Sequence, residues 1–131
     1  MIAIDACVVI SFLNGETSPT VETFIALLEP DSAVLAPPTV TELWSDRTGG
    51  DETAAVVAGK KTLPLTEGYW ERARHLRATV RRAGRKAALG DALAAQACLD
   101  ADVPLLTTDG DFRAFSKLAG LRLATPMRSH D

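Results

Sequence analysis

The sequence predicts an α/β domain: a central, mostly parallel sheet of four to five short strands, flanked by helices on both faces. Two observations carry that prediction. Short apolar runs alternate along the whole chain with longer segments of helical periodicity, the pattern of a parallel sheet with crossover helices. The 131 residues suit one domain with one core, and 47% hydrophobic residues suffice to bury a sheet. No internal repeat, linker or low-complexity segment divides the chain, so residues 1–131 read as a single domain, with 125–131 a polar tail.

Ile2 to Asp5 read as the first strand, β-branched, apolar and ending on an acid. Ala6 to Leu13 turn helical, and Asn14-Gly15 stops them. Ser18-Pro19 restarts a helix, with Ser as cap and Pro at the first helical position, and Val21, Phe24, Ile25 and Leu28 repeat at helical spacing. Ala33 to Ala36 form the second strand. Pro37-Pro38 opens a helix with Val40, Leu43 and Trp44 on its apolar face and Glu42 on another side. Gly49-Gly50 separates it from an Ala/Val-rich helix, Glu52 to Ala58. Leu63 to Leu65 read as a third strand, held to an edge by Pro64. Thr66 caps a long helix over 66–86, in which Tyr69, Ala73, Leu76, Val80 and Ala83 recur at steps of four, three, four and three.

The most informative stretch follows, from Leu89 to Phe112. Asp91 is an N-cap or first-turn residue, and the alanine-rich helix behind it can lie close against a sheet. Pro104 to Thr107 form a short buried strand, and Thr108, Asp109, Gly110 and Asp111 follow at its carboxyl end. Phe112 to Leu118 form a short helix and Leu121 to Ala124 a last strand.

Composition narrows the function. No apolar run is long enough to span a membrane, and Met1 to Asp5 lack the basic start of a signal peptide, so a cytoplasmic protein is expected. Cys7 and Cys98 read as small buried residues in a reducing compartment, not as a disulfide framework. Neither His75 nor His130 stands at a zinc-like spacing from them. The formal net charge of −3 hides an asymmetry: seven of the fourteen Lys and Arg residues fall between Arg72 and Lys86.

Asp is a preferred cap and turn residue, so Asp91 or Asp109 alone would mean little. Four acids in comparable places mean more. Asp5 ends the first strand, Glu42 lies in the helix after the second, Asp91 opens a helix and Asp109 follows a later strand. If those strands are parallel neighbours, the four carboxylates converge beyond their carboxyl ends, where open α/β sheets bind ligands. Carboxylates crowded in one cleft repel unless hard cations neutralise them, and such ligands favour Mg²⁺ or Mn²⁺ over zinc. An acidic metal site of this kind suits phosphodiester hydrolysis.

These residues resemble the PIN-domain ribonucleases, in particular the VapC-type toxins of toxin–antitoxin pairs. The resemblance covers nearly the whole chain. It rests on Asp5, on Thr41-Glu42-Leu43, on Gly90-Asp91-Ala92 with its alanine-rich helix, and on Leu106-Thr107-Thr108-Asp109-Gly110-Asp111-Phe112. It implies a PIN-like fold and a Mg²⁺-dependent endoribonuclease in which Mn²⁺ can substitute. Asp5, Glu42, Asp91 and Asp109 would be catalytic; Asp5, Asp91 and Asp109 would hold metal. Thr107 would steady the loop, with Asp111 in support. The implied partners are a VapB-type antitoxin, an RNA substrate and a second copy of the chain. One departure stands out: the family places Thr or Ser just after the first Asp, where this chain has Ala6-Cys7. A polar contact beside the metal ligands is then missing or altered, with a cost of roughly 10- to 100-fold in metal binding.

Arg74, Arg77, Arg81 and Arg85 are expected on one side of the 66–86 helix, with Arg82 nearby. They are either a solvated face or a phosphate track leading single-stranded RNA to the acids. Trp44 and Trp70 read as core or interface residues, and the apolar helices Val21–Leu28 and Glu52–Ala58 as an antitoxin groove or dimer contact. The alternative is a catalytically weakened PIN-fold module that binds RNA or protein. A phosphatase of the haloacid-dehalogenase kind would need a second Asp two residues after Asp5, where Cys7 stands.

Overall fold

Four parallel strands, in the order β3-β2-β1-β4, form the centre of the molecule in a computed structural model that describes residues 1–46 and 50–127. Strand β1 (Ile2–Ile4) leads into α1 (Ala6–Leu13) and α2 (Pro19–Leu28). Strand β2 (Ala33–Leu35) leads into α3 (Pro37–Ser45) and α4 (Gly50–Ala58). Strand β3 (Lys61–Thr62), α5 (Tyr69–Arg82), α6 (Leu89–Ala101), β4 (Leu105–Leu106) and α7 (Phe112–Ala119) complete the chain. Gly49 of the expected Gly49-Gly50 break, and the end of the tail with His130, lie outside the described residues.

The two-residue period of the strands sorts the core. Ala3, Val34 and Leu105 join one apolar cluster with Tyr69, Leu76 and Val80 of α5, the alanines of α6 and Phe112 and Phe115 of α7. Ile4, Leu35 and Leu106 join the other, with Val8 and Val9 of α1, Phe24 of α2 and Leu43 of α3. Both faces of the sheet are therefore covered, as the alternation of strands and helices predicts. In α6, Ala94, Ala95, Ala97 and Cys98 are almost inaccessible. A helix buried this far around has no room for bulk, which is why its sequence is alanine.

The expected helices and strands are present with local differences. The third strand lies two residues earlier than Leu63–Leu65. The Leu63 amide makes a bond to the Leu35 carbonyl at 2.9 Å, and Pro64, with no N–H, cannot extend the ladder. The final strand, Leu121–Ala124, reduces to a single parallel bridge, Leu105 to Leu123. Thr66 does not cap α5: Gly68, left-handed at φ 82°, is the N-cap residue. At the other end α5 stops at Arg82, so Arg85 is outside the helix and does not share its face. Neither tryptophan is in the core: Trp44 is 56% exposed and Trp70 62%. The α2 face is absorbed inside, with Val21 and Phe24 buried and only Ile25 left out. The large exposed apolar side chains also include Leu65 and Leu89. Among the described residues no helix is long and apolar enough to cross a membrane.

Candidate metal centre

Parallel pairing of β1 with β4, Ile4 beside Leu106, puts the next residues of both strands side by side at the carboxyl edge. Those residues are Asp5 and Thr107. Asp5 is buried and caps α1, its Oδ1 accepting from the Ala6 amide at 2.9 Å. Its Oδ2 accepts from the Thr107 hydroxyl at 2.7 Å and from the Cys7 thiol at 3.1 Å. The Thr107 oxygen in turn accepts from the Asp109 amide at 2.9 Å, and Asp109 Oδ1 accepts from the Asp111 amide at 2.9 Å. The Thr-Thr-Asp-Gly-Asp loop is thus tied to Asp5 by one chain of hydrogen bonds.

Asp91 sits in the first turn of α6, and an oxygen from each of Asp91, Asp109 and Asp111 lies within 4.8 Å of the others. Asp111, expected only in support, is in this trio; Asp5 and Glu42 stand beside it. Asp91 is half-buried and its pKa is pushed up to about 6, first by burial and then by Asp109, Asp5, Glu42 and Asp111. The four other acids all act on this one carboxylate. Burial and then Asp5 likewise raise Glu42. Glu42 reaches the group from α3 across Gly90, where an added Cβ would lie 3.3 Å from Glu42 Oε1. The glycine before Asp91 therefore leaves Glu42 its place, which any Cβ there would shift by a few tenths of an ångström, a role the sequence motif alone does not reveal.

Cys7 decides between the two outcomes expected at this position. The contact beside Asp5 is altered rather than missing, because the thiol supplies it, and Cys7 also lies 3.4 Å from Thr108 Oγ1. Burial and Asp5 raise the Cys7 pKa, which keeps the thiol protonated as a donor. Cys98 is buried and pushed up to about 12, an inert core residue. A second residue unassigned by sequence reasoning is Lys86, whose ammonium lies 3.2 Å from Asp111 Oδ2.

The donor set fits a hard divalent cation. It offers carboxylate oxygens and no imidazole, and its one nearby thiol is engaged with Asp5. Of the expected basic residues, Arg74, Arg77 and Arg81 rim a cleft of about 370 Å³ between α5 and α6, floored by Ala73, Leu89 and Leu93. Arg77 also donates to the Ala87 carbonyl at 2.8 Å. Trp70, Leu89 and Leu93 continue into a second cleft that ends at Glu42 and Gly90. Arg82 and Arg85 are exposed and line neither.

A family model described as PIN domain matches residues 2–118. No curated protein matches the sequence. Among solved structures, the chain is similar to a chain of FitAcB from Neisseria gonorrhoeae, at 20% identity and a TM-score of 0.70, covering 96% of this chain and 98% of that one. It is similar to a chain of VapBC2 from Rickettsia felis, a complex bound to a DNA fragment from its promoter, at 12% identity and 0.73, covering 95% and 98%. VapBC-1 from nontypeable Haemophilus influenzae gives 17% and 0.69, covering 95% and 97%.

Proposed function

The chain belongs to the PIN-domain family, and from that premise we propose that it is a Mg²⁺-dependent endoribonuclease acting as the toxin of a toxin–antitoxin pair. The observation that supports it best is the convergence of Asp5, Glu42, Asp91, Asp109 and Asp111 at the carboxyl edge of β1 and β4. Burial and then the four other acids raise the pKa of Asp91, a structural cost that a bound cation would offset.

Asp91 and Asp109 would hold the ion, with Asp5 contributing its remaining acceptor position. A bound Mg²⁺ or Mn²⁺ lowers the pKa of water and offsets charge on a phosphodiester. Thr107 and Cys7 fix the Asp5 carboxylate from two sides. Glu42 Oε1, its proton affinity raised by burial and Asp5, accepts a proton from the attacking water. Arg74, Arg77 and Arg81 hold the RNA backbone in the cleft that leads to Glu42. Arg82 and Arg85 contribute long-range attraction only.

The solved relatives named above are toxin–antitoxin complexes, which supports a VapB-type antitoxin as partner. The exposed apolar side chains of Trp44, Leu65, Trp70 and Leu89 suit a contact with that antitoxin or with a second copy in a homodimer. The reading places the protein in the cytoplasm, with its RNA. The binding-only alternative rests on Ala6-Cys7; the bond from the Cys7 thiol to Asp5 favours the catalytic reading, since it gives that carboxylate a polar partner. The test is cleavage of RNA by pure protein with Mg²⁺ and with chelator, on the parent and on Asp91→Asn. Cleavage that needs both Mg²⁺ and Asp91 is expected; metal-independent cleavage, or none, would overturn the proposal.

A further inference from the structure

Trp70, Arg74, Arg77 and Arg81 follow one another along α5 at steps of four, three and four, so they share one side of the helix. Each comes one residue after a buried one (Tyr69, Ala73, Leu76 and Val80), and the stripe runs beside the face that enters the core. All four stripe residues line the cleft between α5 and α6. We propose that Trp70 is the base-binding residue of this cleft: an unpaired RNA base stacks on its indole, beside Leu89, while the arginines hold the phosphates. The inference rests on the nuclease reading above and names what grips the base, where that reading grips only the backbone.

Three observations fit the indole for this task. It is exposed, although its ring is large and apolar. It is also held in place. Its ring stands edge to face with that of Tyr69, centroids 5.1 Å apart and planes at 79°. Tyr69 is itself buried, its hydroxyl bonded to the Leu93 carbonyl at 2.5 Å. An edge-to-face contact takes at most one face of the indole, so a face is left free and already oriented. Finally, the ring stands at a junction. Trp70, Leu89 and Leu93 line both the arginine cleft and the cleft that ends at Glu42 and Gly90. A base stacked there lies between the arginines and the acidic centre.

The chemistry of the stripe selects unpaired RNA. Such a chain brings a π-face for the indole and a phosphate for a guanidinium at every nucleotide, so one ligand satisfies both. A duplex keeps its bases stacked inside and offers the indole only its backbone and groove edges. An acidic peptide also meets the arginines, but its carboxylates are repelled where the second cleft reaches Glu42. An antitoxin or a second copy that covered Trp70 would exclude the base, so RNA and a protein partner would compete for this surface.

The test separates base from backbone. Binding of a short labelled oligouridylate, of an abasic ribose-phosphate chain of equal length and of an RNA duplex is measured with chelator present, so that nothing is cut. Trp70→Ala should lose about 5- to 150-fold in affinity for the oligouridylate, the worth of one stacked base. It should lose almost nothing for the abasic chain or the duplex, and Trp70→Phe should keep most of the affinity. Trp44→Ala removes a similarly exposed tryptophan that lines neither cleft, and should change nothing. Arg74→Gln with Arg81→Gln should weaken both single chains alike and flatten their salt dependence. In Trp44→Phe protein Trp70 is the one tryptophan left, and the oligouridylate, but not the abasic chain, should quench its fluorescence. The indole is exposed, so these variants should melt with the parent. Equal loss on both single chains, or no loss from Trp70→Ala, would overturn the inference; in the second case a change in sedimentation or antitoxin binding would give the indole to a protein partner. A parent that binds no oligouridylate would overturn the RNA reading of the cleft, and the role of Trp70 with it. Mg²⁺-dependent cleavage by the parent, with affinity unaltered in Trp70→Ala, would overturn the role of Trp70 alone.

Discussion

The Thr107 hydroxyl donates to Asp5 Oδ2 at 2.7 Å, joining residues that follow two adjacent parallel strands. The same oxygen accepts the Asp109 amide, so one hydroxyl fixes both a buried carboxylate and the acidic loop. Thr107→Val keeps the shape and removes both bonds. Leaving partners unsatisfied typically costs ~1–3 kcal/mol, and disturbing groups that orient metal ligands costs about 10- to 100-fold in metal affinity or activity. The expected result is a lower melting temperature together with a higher Mg²⁺ concentration needed for half-maximal cleavage. Thr107→Ser should restore both.

Cys7 holds the same Asp5 oxygen from the other side. A hydroxyl is a better donor than a thiol. Cys7→Ser should therefore match or exceed parent activity, and Cys7→Ala should fall below it. Equal activity of Ser, Ala and parent would show that Thr107 alone holds Asp5.

Gly90 separates stability from activity. It is helical, so Gly90→Ala should favour α6 by up to ~1 kcal/mol. Its new Cβ would stand 3.3 Å from Glu42 Oε1, forcing that carboxylate to shift by a few tenths of an ångström. Melting temperature should hold or rise while cleavage falls, with metal binding nearly unchanged. Loss of stability in step with activity would contradict this.

Much of this was readable in the chain, and the misses have physical causes. The β1, β2 and β4 runs and the start of α3 at Pro37 follow from burial and proline geometry, which are local. β3 was displaced because an exposed edge pair, Lys61–Thr62, carries no apolar signal. Asp5 and Asp109 were legible from their positions after strands, and Glu42 and Asp91 from their places early in helices. The Lys86–Asp111 pair was not, since it joins residues 25 apart through a turn whose path no local pattern dictates. For Trp44 and Trp70, read as core or interface residues, exposure excludes the core alone, because helical spacing marks an apolar face without saying what covers it.

Away from the centre, Arg72 grips Asp100 by two bonds, Nε to Oδ1 at 2.9 Å and Nη2 to Oδ2 at 2.6 Å. Gln96 adds a third to Oδ1. The Arg72 bond, with help from Gln96, holds the Asp100 pKa below the ordinary carboxylate value. A depressed pKa stabilises the fold above the unfolded value of ~3.9 and ceases to as pH falls through the folded one. The melting temperature of Asp100→Asn should trail the parent by a constant margin above about pH 5, and the gap should close in stronger acid. A gap independent of pH would assign the effect to packing.

Asp91 has the opposite sign, and its replacement tests the centre most directly. Its folded pKa of about 6 exceeds the ordinary value, so ionising it works against the metal-free fold. Stability from this group is greatest below the unfolded value and declines as pH rises through about 6. Asp91→Asn keeps the size of the side chain and carries no charge. Without metal, the variant should melt above the parent at pH 7, and the difference should shrink toward pH 4. Added Mg²⁺ should raise the melting temperature of the parent and leave the variant nearly unmoved, while RNA cleavage by the variant falls by orders of magnitude. Stability and activity then move apart, as they do where a site is built at the expense of the fold. If Asp91 is only a first-turn residue of α6, the variant will instead cut RNA and respond to Mg²⁺ as the parent does.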